Sequence, residues 1–220
     1  MSQVLKEITI LLKKDISLEW RSRQSLSAIL LYLFSTILVL YYSLVRVEKF
    51  LWTGVFWILI IFLSINALSG SFSKDTRDRH WYYYSLAHPL SFYFAKLVYN
   101  FISLLAYTMI SLLLLNVFFG LPAIHWGLFF ITLVASILGI SAIFTFIALL
   151  NNKTGDQSTI MAILSTPLIF PILLAGSRLV MNALSILSET SYYKDLISIL
   201  SVDLLAISLS IILFPILWRD

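Results

Sequence analysis

"WGLFFITLVASILGISAIFTFIALL", residues 126–150, is 25 residues long and contains no charged side chain. A bilayer's hydrocarbon core is about 30 Å thick and a helix rises about 1.5 Å per residue, so about 20 apolar residues cross it. This run is long enough to span. Four more stretches meet the same requirement, at about 25–45, 51–72, 92–119 and 196–217. A sixth, about 158–178, contains "TPLIFPILLAG", in which Pro167 and Pro171 fall four apart. They lie on one helical face, and each removes a backbone donor and bends the helix. The spacing predicts a span that crosses kinked or broken and faces the protein interior, where neighbours satisfy the freed carbonyls. An ordinary proline kink is the plainer alternative.

Composition agrees with these runs. Of 220 residues, 60% are hydrophobic and 12% charged, and the mean hydropathy is +0.95. Ordinary globular domains carry about twice that share of charge. The net charge of +4 does not point to nucleic acid, because the 15 lysines and arginines sit in flanks and loops, where membrane orientation requires them. With no cysteine there is no disulfide framework, thiolate nucleophile or zinc cluster, and three histidines leave any protein-only metal site sparse. The opening "MSQVLKEITILLKKD" is too charged to be the apolar region of a signal peptide, so insertion is expected through the chain's own spans.

Counting basic residues on alternate sides of six spans orients the chain. One side collects Lys6, Lys13, Lys14, Arg21, Arg23, Lys74, Arg77, Arg79, Lys96, Lys153 and Arg219; the other has Arg46, Lys49, Arg178 and Lys194. Cytoplasmic segments carry the excess, so both termini are expected in the cytoplasm. The expected organisation is one all-α integral membrane domain, residues 1–220, with six transmembrane helices. Ahead of them, at about 3–20, Val4, Leu5, Ile8, Leu11 and Leu12 share one helical face and Lys6, Lys13 and Lys14 the other. That pattern predicts an amphipathic helix in the headgroup layer, ending near Trp20, Arg21 and Arg23. A basic flank that only sets topology is the alternative.

The longest cytoplasmic connection, about 73–90, reads "SKDTRDRHWYYYSLAHPL". Lys74, Asp75, Arg77, Asp78 and Arg79 put five charges within six positions, followed by His80, Trp81 and three tyrosines. Charges select and orient a protein partner, while rigid amphipathic aromatics bury area or anchor at a membrane surface. An interfacial aromatic belt under a solvated charge run is the other reading.

No chemical centre is visible. There is no G-x-x-x-x-G-K-[ST], G-x-S-x-G or H-E-x-x-H, and no catalytic pair of carboxylates within one span. Asp203 lies about two turns inside the last expected span; it is either a functional intramembrane acid or a side chain that reaches the outer interface. Asn66, Asn100 and Asn116 are expected to bond between helices. His125 and Trp126 are expected on the outer side, where a histidine can ligate haem iron and a tryptophan can stack on the porphyrin, or where both simply sit at the interface. Ala135, Gly139 and Ala142 offer a small-residue face for close packing within the chain or against a second copy. Residues 179–195 are expected to form short re-entrant or interfacial helices.

The amphipathic first helix, six spans, charged first cytoplasmic loop and proline-bearing fifth span look like the ABC-2 type permease architecture. Within it the chain resembles the CcmB family, the haem exporter membrane subunit of cytochrome c maturation. The likeness covers essentially the whole chain and rests most on its length, on "KDTRDRHWYYYSLAHPLSFYFAK" and on "STPLIFPILLAG". The resemblance implies a non-enzymatic permease in the bacterial cytoplasmic (inner) membrane that pairs with itself and with a separate cytoplasmic ABC ATPase. It also implies a haem-handling membrane protein and a small single-span subunit as partners, and haem as substrate of the complex, not a cofactor of this chain. Residues 73–90 would then be the coupling element docked on the ATPase. An ABC-2 exporter of a drug, lipid or polysaccharide shares every feature above. A non-transporting membrane scaffold and a membrane enzyme are the remaining classes.

Overall fold

The computed structural model describes residues 2–21, 23–44, 47–73, 89–120, 124–150, 157–187 and 192–217. These form seven helices, α1 (Ser2–Arg21), α2 (Arg23–Ser43), α3 (Lys49–Ser73), α4 (Pro89–Phe119), α5 (Trp126–Leu150), α6 (Gln157–Ala183) and α7 (Tyr192–Leu217). By length and composition, five stretches can cross a membrane: Lys49–Leu68, Pro89–Phe119, Trp126–Ala148, Ile163–Ala183 and Tyr192–Pro215. The run expected at about 25–45 is α2, whose apolar part Ser27–Ser43 is shorter than these.

The opening run forms the middle of the bundle. In an 18-residue apolar stretch of each helix, 72% of α5 is buried against 22% of α7, and α5 touches α3, α4, α6 and α7. A helix that is apolar on every side is at home surrounded by other helices. Two of its threonines suit that position because they bond to their own backbone: Thr132 to the Leu128 carbonyl at 2.8 Å and Thr145 to the Ser141 carbonyl at 2.6 Å. The small-residue face is spent inside the chain. Ala142 is fully buried, and Gly139 sits directly under Asp203 of α7 and Ile172 of α6.

Contacts between helix ends fix their sense. Lys49 at the start of α3 donates to the Leu184 carbonyl after α6, and the Ile124 and His125 N–H groups before α5 donate to the Ala183 carbonyl. Tyr41 near the end of α2 packs edge-on against Phe118 and Phe119 at the end of α4. At the opposite end, Phe92 in the first turn of α4 stacks on Phe214 of α7.

One expectation is narrowed here, since α6 is not broken at its prolines, and one is corrected. Pro167 and Pro171 lie inside a continuous α6, and both are exposed. Helical spacing explains it: Ser165, Ile169, Ile172, Ala175, Gly176 and Leu179 make the buried face, and the prolines fall on the opposite one. Residues 179–195 form no separate short helices among the described residues. Instead α6 runs on to Ala183, Leu184–Leu187 turn through Ser185 at φ 55°, and α7 has begun by Tyr192. The apolar positions there simply continue the faces of the two flanking spans. The charged connection, with Lys74, Asp75, Arg77, Asp78, Arg79, His80 and Trp81, lies outside the described residues.

Candidate functional site

Among the described residues, three polar places stand out in the apolar bundle. The first joins α1 to α4. Leu11 and Asp15 are buried one turn apart on the face of α1 that meets α4, with Ile8 and Glu19 part-buried beside them. Asp15 pairs with Lys96 at 3.1 Å and with Lys14 at 3.2 Å, and Lys96 is only 2% exposed. One turn on, Glu19 accepts hydrogen bonds from the hydroxyls of Tyr99 at 2.6 Å and Tyr107 at 2.7 Å. Such charge-assisted bonds are short and strong. Sequence reasoning treated Lys96 as one more orienting cation and passed over both acids. The signal was the spacing Leu11, Asp15, Glu19, which continues the apolar face of α1 in steps of four.

The second place is Asp203. It lies three turns into α7, is 3% exposed, and has no hydrogen-bond partner for either carboxylate oxygen among the described residues. The carboxyl occupies the space that a Cβ would need at Gly139. Nearby, a Cβ at Gly176 of α6 would come within 2.7 Å of the Trp57 ring of α3 and 3.1 Å of the Ser136 hydroxyl of α5. Two glycines thus let four helices close around polar groups whose own bonds are incomplete, since Trp57 Nε1 and Ser136 Oγ also lack partners among the described residues.

The third is a pocket of about 880 Å³ at the end where α5 starts and α6 stops. Its lining includes His125, Trp126, Asn182, Ser185 and Tyr192, so His125 and Trp126 are brought to one cavity, as their adjacency allowed. Trp126 stacks on Phe130 at 6.0 Å and meets Phe129 edge-on at 6.4 Å, which sets its ring as a wall. Asn182 and Tyr192 were not anticipated, because they come from helices that are distant in sequence.

Of the three asparagines, Asn100 bonds between helices, donating to Thr145 Oγ1 of α5 at 2.8 Å. Asn66 donates to the Phe62 carbonyl of its own helix, and Asn116 is exposed. Among the described residues no three of His, Cys, Asp and Glu gather as a metal site. Comparison with known families gives one finding: a family model described as CcmB protein matches residues 6–215. No curated protein and no solved structure matches the chain.

Proposed function

The chain belongs to the CcmB family, and from that premise we propose that it is the membrane permease subunit of an ABC system for cytochrome c biogenesis. In this reading it passes the work of ATP hydrolysis, done on a separate cytoplasmic subunit, to haem export or to release of haem from a periplasmic chaperone. The observation that carries the reading is the family match over nearly the whole chain. The multi-pass bundle is consistent with it.

The finer elements are part of the same proposal. Helix α2 is the first of six spans, both termini face the cytoplasm, and α1 lies at that surface. The bundle pairs with a second copy in the bacterial inner membrane, beside a haem-handling protein and a single-span subunit. Residues 73–90 dock on the ATPase, the charges orienting it and the aromatics burying area.

Reversal of Arg77 and Arg79 to Glu tests this. Charges in a polar connection contribute little to stability, so membrane abundance is expected to stay near wild type. Repulsion at a complementary contact costs several kcal/mol, about a hundredfold or more in affinity, so the ATPase is lost on purification and mature c-type cytochromes fall. Full retention of the ATPase together with normal cytochromes removes the coupling role. Normal cytochromes after deletion of the whole chain remove the function itself.

A further inference from the structure

The pocket at the start of α5 has a chemistry that specifies a class of ligand. Its volume of about 880 Å³ is that of a small-molecule site, and Ile124, Leu128, Ile131 and Leu187 make its walls largely apolar. Two features break that apolarity. Asn182 is 7% exposed, and neither its amide nitrogen nor its oxygen has a partner among the described residues. A buried amide left so is costly unless something in the cavity bonds to it. The other feature is the end of α5 itself. The first bond there runs from the Phe129 N–H to the His125 carbonyl at 3.1 Å, so the N–H groups of Trp126, Gly127 and Leu128 have no backbone acceptor among the described residues. Amides at a helix start favour an anion. A carboxyl group suits both features, and a flat apolar body suits the Trp126 ring beside them.

We propose that this pocket binds a flat, carboxylate-bearing apolar molecule of the porphyrin class, its carboxylate between the first turn of α5 and the Asn182 amide and its ring against Trp126. This deepens the haem reading above and rests on it for the choice of porphyrin among carboxylate-bearing amphipaths. His125, also in the lining, offers one ligating nitrogen to a porphyrin metal. One axial nitrogen suffices there, because the porphyrin supplies the remaining nitrogens.

The test uses the purified full-length chain in lipid nanodiscs, with Trp fluorescence quenching and the porphyrin absorbance band as readouts. The probes are ferric haem, iron-free protoporphyrin, protoporphyrin dimethyl ester and oleate. Ferric haem and the iron-free diacid bind, the ester binds about tenfold or more weakly, and oleate at equal concentration does not displace the porphyrin. Asn182→Leu weakens both acids by about the same factor. His125→Ala shifts the absorbance band of haem and leaves the affinity of the iron-free acid unchanged. Gly127 borders the pocket and a Cβ there meets nothing within 4 Å, so Gly127→Leu folds and reduces binding by filling space.

Equal affinity of ester and diacid overturns the proposal in the unmodified protein, where folding is not in question. Displacement by oleate makes the cavity a lipid site and overturns it too, as does indifference to both Asn182→Leu and Gly127→Leu. The two readings fail separately. Lost cytochromes on deletion with binding indifferent to these variants sinks the pocket alone, whereas ester-sensitive binding with normal cytochromes sinks the haem-export function.

Discussion

Asp15 and Asp203 are both buried carboxylates on helices, 6% and 3% exposed, and the bundle accommodates them by opposite means. At the α1–α4 seam, Asp15 meets Lys96 and Lys14, and Glu19 beside it takes two tyrosine hydroxyls. At the α5–α7 crossing, Asp203 has no bonded partner among the described residues; the room it occupies comes from a missing side chain at Gly139. The seam therefore depends on which charges are present, and the crossing on which atoms are absent. Removing a charge is the way to break the first, and adding carbon is the way to break the second.

The largest effect is expected from adding carbon. Gly139→Leu would place a side chain into Asp203 and Ile172 at once, with Ile172 Cδ1 only 2.6 Å from the first added atom. Overpacking ordinarily costs about 1–3 kcal/mol, and a helix crossing with no slack takes the cost to about 4 kcal/mol or more, seen as lost membrane abundance and a lowered unfolding midpoint in mixed micelles. Gly139→Ala meets only the far ends of two side chains and costs less, and Asp203→Ala in that background recovers most of the loss. If Asp203→Ala gives no recovery, space is not what admits the acid.

Next comes removal of a charge at the seam. Lys96→Ala leaves Asp15 buried beside Lys14 alone, at a cost of about 3–5 kcal/mol by the same unfolding measurement, while Lys96→Met with Asp15→Leu returns close to wild type. A double variant as unstable as Lys96→Ala alone would mean that packing, not charge, holds α1. Tyr99→Phe removes one hydroxyl donor from Glu19 and is expected to cost about 1.5–3 kcal/mol, the worth of a bond to a charged group. The smallest effect belongs to the pair outside both regions. Arg178 and Asp195 are 3.8 Å apart and the arginine is 64% exposed, so Arg178→Ala is expected to cost less than about 1 kcal/mol.

The spans were legible because crossing a bilayer demands a number of consecutive apolar residues, and 126–150 became α5 residue for residue. Which way each helix faces was less legible. Lipid and protein interior are both apolar, so a helix such as α6 carries no polar stripe to say which side is buried, and its two prolines did not say so either. Gly139 was the exception, since a missing side chain signals close approach whatever surrounds it. Of the candidate site, His125 and Trp126 could be paired because they are neighbours in sequence. Asn182 and Tyr192 join them only through the folding of α6 and α7, and no local pattern encodes that. Asp15 and Glu19 were hidden by the opposite bias, because acids on an amphipathic helix read as water-facing until a basic and two phenolic side chains are found opposite them.

Lys49 and Leu184, whose ammonium and carbonyl meet at 2.9 Å, are 135 residues apart in the chain. Ribosomes add about 5–20 residues per second, so after Lys49 is made about 7 to 27 seconds pass before its acceptor exists. During synthesis, the start of α3 must wait unclamped while three further spans are threaded into the bilayer. The bond is therefore a late latch, closing only when the sixth helix has arrived. A chain truncated before Leu184 is expected to leave α3 free to slide along the membrane normal, the state in which quality-control proteases meet an unfinished permease.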